Sequence, residues 1–288
     1  MTAHRKIFVL VCSLLAAAGC ENPRAKLDLP PVEPQVARIA PPVVRPAPRP
    51  VVAPRPVVKP QPRPVVQNLQ AGRSVQGRPI AATAIGTGSQ CVLVIGGIHG
   101  NEPASATLCR QLRAYLRAHP ELLYGLKVIV VPAANPDGLA ANTRGNARGV
   151  DVNRNFATGN YRATATHGGE AMSQPEARYL RGIIDRYRPA RILTVHQPLS
   201  CIDYDGPGLA LAKKIARASG LPVKKLGARP GSLGSYAGVE NHIPTITVEL
   251  PRDASALSAG QVWNRYGHAM MVGINHRESA ITAGSAGK

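Results

Sequence analysis

The chain has 288 residues, enough for one domain or two, and 35 Lys and Arg against 16 Asp and Glu give it a formal charge of +19. Such a balance ordinarily raises nucleic acid as a partner, but the first twenty residues exclude it. Arg5 and Lys6 precede the apolar run Ile7 to Gly19, the layout of an export signal rather than a membrane span, and an exported chain meets no nucleic acid in its normal work.

The export segment, residues 1–19, ends in Leu15-Ala16-Ala17-Ala18-Gly19-Cys20. This resembles a bacterial lipobox with Cys20 as the acylated first residue; an ordinary signal peptide that contains a cysteine is the alternative. Glu21 stands where Asp would signal retention at the inner membrane, so the expected location is the periplasmic face of the outer membrane. The basic charge then serves acidic lipid headgroups, cell-wall polymer or an acidic substrate.

Residues 20–70 read as a tether. Arg-Pro-Val-Val recurs at Arg49, Arg55 and Arg63, and proline at this density removes backbone donors and fixes φ, so the stretch is expected to be extended and coreless. From Pro30 to Val66, at about 3.1 Å per residue, it would reach on the order of 100 Å. Its basic residues suit either an anionic surface or simple solubility.

A folded domain is expected over 71–278, with a tail at 279–288. Arg78 to Ile85 alternates loosely and reads as an edge strand, while Cys91–Ile95 and Leu126–Val131 are continuous apolar runs suited to central parallel strands. Between them Gly96-Gly97-Ile98-His99-Gly100-Asn101-Glu102 turns into a helix over Pro103 to Ala118. Pro132 to Thr166 is long, aperiodic and rich in Asn, Gly and Arg, as functional loops often are. Ser173-Gln174-Pro175-Glu176 has capping-box spacing and opens a helix to Tyr187. Strands at Arg191–Val195 and Thr245–Val248 alternate with helices at Leu209–Ser219 and Ala259–Ile274. The predicted class is α/β, a mixed and mostly parallel sheet with helices on both faces. Cys91 and Cys109 read as small core residues, and Cys201 as a loop thiol near His196.

His99, His196 and Glu249 stand at the ends of three separate predicted strands, which a parallel sheet brings to one edge. A His-x-x-Glu pair alone is weak, since Glu102 at the start of a helix also suits its dipole. Joined by His196, however, it is a His₂Glu set of the kind that holds catalytic zinc and leaves one position open to water, whose pKa the ion lowers to about 7. Glu249 is placed as the proton-accepting base; a fourth ligand or an ion-pair partner is the other reading. In the long loop, Arg144 and Arg154 are either solvated surface or, beside zinc, an oxyanion holder and a carboxylate grip. Asp151 is a candidate to orient a ligating histidine.

These residues together resemble the zinc carboxypeptidases related to carboxypeptidase A, over about Gly72 to Glu249. His99 and Glu102 fit the family's His-x-x-Glu, His196 its third ligand and Glu249 its base. Arg144, nine residues before Asn153-Arg154, fits its loop motif. Asn135-Pro136-Asp137-Gly138, Asn146 to Asp151, His196-Gln197-Pro198-Leu199 and Gly231 to Gly238 look like the murein tripeptide amidase branch. That resemblance implies one Zn²⁺, cleavage of the γ-D-glutamyl–diaminopimelate bond of peptidoglycan peptides, and Asn153 with Arg154 on the substrate carboxylate. A carboxypeptidase trimming one terminal residue, and a wall-binding anchor without activity, are the alternatives. The branch works in the cytoplasm, so export here shifts the expected role to the periplasm. Phe156-Ala157 replaces a common proline, and Tyr204 and Tyr236 are the candidates for the family's mobile tyrosine.

Overall fold

A computed structural model describes residues 65–276. The export segment, Cys20, the tether up to residue 64 and the tail lie outside the described residues. The first strand, β1 (Val66–Asn68), pairs antiparallel with β4 (Thr83–Ile85), so the folded part starts earlier than residue 71. The reason is local: Pro64 is the last proline of the dense run, and the residues after it have backbone donors free for a ladder. The segment expected as one edge strand divides in two. β3 (Pro79–Ile80) joins β2 (Gly72–Arg73) in a separate ribbon, and β4 is interior because β1 covers its outer side.

The remaining strands are β5 (Gln90–Ile95), β6 (Leu126–Val131), β7 (Arg191–His196), β8 (Leu199–Asp205) and β9 (Thr245–Pro251). The main sheet runs β1-β4-β6-β5-β7-β9-β8, with the four strands β6, β5, β7 and β9 parallel and both flanks antiparallel. The antiparallel β8 was not foreseen, and it places Cys201 in a strand, fully buried, rather than in a loop.

Helices α1 (Pro103–Ala118), α4 (Leu209–Ser219) and α5 (Ala259–Ile274) cover one face, while α2 (Pro136–Ala141) follows β6 and α3 (Pro175–Tyr187) packs on the other. Successive side chains of a strand point to opposite faces. Val92, Val94, Leu193 and Val195 accordingly enter the core beneath α1, α4 and α5, and Leu93, Ile95, Ile129 and Ile192 enter the core beneath α3. No helix of the described residues is long and apolar enough to cross a membrane. The capping box before α3 does not form. Asn155 takes the role across the chain, its Oδ1 accepting from Gln174 N at 2.9 Å, and the Glu176 carboxylate accepts instead from Val75 N and Asn146 Nδ2.

Asp137 joins the two-stranded ribbon to the sheet. Its buried carboxylate accepts from Ser74 Oγ at 2.8 Å, Gln76 N at 2.9 Å and Arg78 Nη1 at 2.7 Å. Asp137→Asn turns an amide towards donors that need an acceptor and is expected to cost about 2 kcal/mol. Urea unfolding checks this, as a lower midpoint at unchanged slope.

Candidate active site

The turn after β5 is shaped by backbone crowding. Gly97 has φ +62°, and a Cβ at Gly100 would stand 1.9 Å from the Gly138 carbonyl carbon, so only glycine lets the turn lie against α2. Glu102 then occupies the first cap position of α1 with Pro103 next, but its carboxylate makes no capping bond. It faces the sheet edge instead, which removes the reading of Glu102 as a helix-dipole residue. Oε1 lies 2.8 Å from His99 Nδ1 and Oε2 lies 2.9 Å from His196 Nδ1.

The two Nδ1 atoms are 3.1 Å apart, and the three ligand atoms fall within 4.8 Å of one another. His99 Nε2 is 3.0 Å from Asp151 Oδ1; with the ring proton assigned there, Nδ1 presents its lone pair to the cluster. Three electron-pair donors aimed at one point are what a divalent cation resolves. Nitrogen ligands about 2.0–2.1 Å from a tetrahedral zinc stand about 3.3 Å apart, close to the spacing here. The donor set therefore fits zinc, with two nitrogens, one carboxylate and no thiolate.

Asp151 is the hub of the cluster. Oδ1 also accepts from Asn153 N at 2.8 Å, and Oδ2 accepts from Arg144 Nε at 2.9 Å. Burial opposes its ionisation, but His99, Arg144 and Arg154 together hold it well below the usual carboxylate range. Glu102 behaves alike: burial would raise it, and His196 and His99 hold it at about 2. Glu249 moves the other way. It pairs in register with His196 across β7 and β9, and burial, with Glu102 nearby, raises its carboxyl although His196 pulls it down.

Two neighbouring carboxyls thus have opposite tendencies, one held ionised and one poised to exchange a proton. Arg144 reaches the same cleft with its guanidinium half exposed, Nη1 lying 3.6 Å from Glu102 Oε1. Asn153 and Arg154 come from a short 3₁₀ turn at Val152–Arg154, fastened when Asn153 Oδ1 accepts from Leu233 N. Every site residue proposed from the sequence, Cys20 apart, therefore meets in or beside one cleft of about 270 Å³.

Several contributors were given no role from the sequence, Gln197 among them although its motif was recognised. Gln197 donates its N–H to Glu102 Oε2 and accepts from Ala104 N through Oε1, so it ties the end of β7 to the start of α1. Asp203 and Thr247 face each other across β8 and β9 and line the cleft floor, with Asp205 and Arg229 beside them. Burial raises Asp203. The missed signal was alternation: Cys201, Asp203 and Asp205 lie two apart on a strand the sequence reading had left out. Cys201 is no nucleophile, since burial pushes its thiol up and Glu249 adds to this. Tyr236 turns away, its hydroxyl donating to Asp185 Oδ1 at 2.9 Å, and among the described residues no tyrosine lines the cleft.

Comparison with known proteins agrees with this geometry. The zinc carboxypeptidase family matches residues 61–204, a span holding His99, Glu102 and His196 but not Glu249. Murein peptide amidase A of Escherichia coli K12 is 32% identical over 222 residues, 69% of this chain and 86% of that protein. The crystal structure of murein-tripeptide amidase MpaA from Escherichia coli O157 superposes with a TM-score of 0.58 at 28% identity, over 74% of this chain and 93% of that one. Carboxypeptidase A from Helicoverpa armigera shares the fold, with a TM-score of 0.60 at 23% identity over 73% and 68% of the two chains. With a His₂Glu cluster inside the matched span and the mixed sheet of these relatives, the chain belongs to the zinc carboxypeptidase family, metallo-hydrolases with zinc as cofactor.

Proposed function

We propose that this protein hydrolyses peptidoglycan peptides at the γ-D-glutamyl–meso-diaminopimelate amide bond. The observation that carries the reading is the cleft itself, which sets cations over a carboxylate floor beside a His₂Glu cluster. Such a pairing of signs suits a substrate end carrying both ammonium and carboxylate groups, as diaminopimelate does. The relatives named above as murein amidases support the same substrate.

In this reading His99, Glu102 and His196 hold the zinc, which when bound supplies Lewis-acid polarisation of the carbonyl and acidifies water. Asp151 fixes the tautomer and direction of His99 through Nε2. Arg144, held at Nε by Asp151, turns its remaining donors towards the oxyanion of the tetrahedral intermediate. Asn153 and Arg154 hold the substrate carboxylate. Glu249 takes the proton of the attacking water and returns it to the departing amine; its raised pKa suits that exchange. Asp203, on the floor, faces the far ammonium of diaminopimelate. We also propose, from Arg5, Lys6 and the Leu15–Cys20 segment, that the chain is exported and acylated at Cys20 at the outer membrane.

Incubation with L-alanyl-γ-D-glutamyl-diaminopimelate is expected to release free diaminopimelate and a dipeptide. Release of D-alanine alone from the corresponding tetrapeptide would instead identify a carboxypeptidase. Glu249→Gln is expected to lower kcat by about 10²–10⁴-fold with zinc content unchanged, and kcat/KM of the parent should fall on the acid side as Glu249 becomes protonated, at a pH above the ordinary glutamate range. Asp151→Asn should weaken zinc binding about 10–100-fold in chelator competition. Asp203→Asn should raise KM for the tripeptide but leave it unchanged for an analogue lacking the distal amine. Cys20→Ser should move the protein from the membrane to the soluble fraction, and retention in the membrane would defeat the acylation proposal.

A further inference from the structure

The helix layer on the face away from α3 carries an unusual distribution of charge. α5 packs between α1 and α4, and none of the three helices contains Asp or Glu. Arg110, Arg113 and Arg117 lie three and four residues apart on α1, which places them on one stripe. Lys213, Lys214 and Arg217 are exposed on α4, and Arg265 is exposed on α5. Among the described residues none of these seven lies within 4.0 Å of a carboxylate oxygen. Of the acids next to these helices in sequence, Glu102 is in the His₂Glu cluster, Asp205 is paired with Lys225 and Glu121 is turned to His119 at 3.2 Å.

Set into this cationic layer is an open cleft of about 510 Å³ between α1 and α5, lined by Tyr115, Leu122, Trp263 and Met271. The Tyr115 and Trp263 rings are 4.8 Å apart, and Gly267 leaves the indole room, since a Cβ there would stand 2.7 Å from it. Leu122 is 40% exposed and Tyr124 beside it 67%. Tryptophan and tyrosine suit the headgroup level of a bilayer, where one end of the ring is apolar and the other wet. A surface for a soluble polyanion needs the charges but not the exposed Leu122 and Tyr124.

The placement of this surface also fits a bilayer. α1 runs from Glu102 at the active-site edge of the sheet to the opposite edge, where Leu122 and Tyr124 precede β6. α5 ends at that edge too, since Arg191, the first residue of β7, donates to the carbonyls of Gly273 and Ile274. The two clefts share no residue. We infer that the outward face of α1, α5 and α4 is a docking surface for an anionic phospholipid bilayer, holding the active-site cleft away from the membrane.

Trp263 is the only tryptophan of the chain, so its emission reports on this surface alone. The full chain carrying Cys20→Ser, which removes any acyl anchor, is titrated with vesicles of phosphatidylglycerol and phosphatidylcholine, with vesicles of phosphatidylcholine alone, and with soluble polyphosphate. A blue shift of Trp263 together with co-sedimentation is expected with the anionic vesicles only. R110Q/R113Q/R117Q should weaken vesicle binding about 100-fold, at about fivefold per charge, while R162Q/R181Q/R186Q, the same charge removed elsewhere, should weaken it by less than about fivefold. L122S/Y124S, confined to exposed side chains, should reduce the blue shift without altering the fold. An unmoved Trp263 emission, or equal weakening by the two triple variants, overturns the assignment. So does polyphosphate binding that depends on the α1 arginines while vesicles do not bind.

Discussion

Everything at the active-site edge depends on keeping three electron-pair donors pointed at one another inside the protein. His99 Nδ1, His196 Nδ1 and the Glu102 carboxylate repel unless a cation lies among them, and all three residues are buried. Isolated buried charges are costly, so such a cluster persists only where neighbours hold each ligand in place. Asp151 fixes one imidazole, Gln197 N holds one oxygen of Glu102, and the in-register pairing of His196 with Glu249 sets the Glu249 carboxyl beside the cluster. The same Asp151 fastens Arg144, so one carboxylate both orients His99 and holds the Arg144 guanidinium at the cleft.

The fold supplies the rigidity this needs. β5, β7 and β9 are adjacent and parallel, buried on both faces, and they end within a few residues of one another at the same edge. Ligands carried at the ends of such strands shift little, because the strands are packed at close to crystalline density. The long loop from Pro132 to Thr166 completes the cleft with Arg144, Asn153 and Arg154. It is less irregular than it reads, since α2 and the 3₁₀ turn brace it, Asn135 and Asn146 satisfy its backbone through side-chain bonds, and Asn155 ties it to the segment before α3.

The domain's charge is unevenly arranged, since α1, α4 and α5 contain no Asp or Glu. At the cleft Arg144 is paired with Asp151 and lies 3.6 Å from Glu102, while the cationic side chains of α1, α4 and α5 have no carboxylate within 4.0 Å among the described residues. Charges held in ion pairs create directional sites, whereas unpaired ones on a helix layer create a broad field that falls off within a Debye length. The proposed peptide cleft and the proposed bilayer surface share no residue, so occupation of one leaves the other open.

The sequence by itself determined the parallel centre of the sheet, the main helices and the identity of the metal-binding set. Continuous apolar runs ending in His99, His196 and Glu249 carry that information locally, in residue type and spacing. It left out β8, because the alternation in Ile202-Asp203-Tyr204-Asp205 spans only four residues and follows β7 so closely that the stretch reads as a loop. It misread Cys201 for the same reason, and it missed β1 because two valines after a proline run give no strand pattern of their own. Only the tertiary structure decided that Glu102 abandons the helix cap for the cluster, that Gln197 joins β7 to α1, and that Asp203 faces Thr247 across the cleft floor. Those are contacts between residues about 45 to 95 positions apart, set by strand order and register, and no local pattern of residues encodes them.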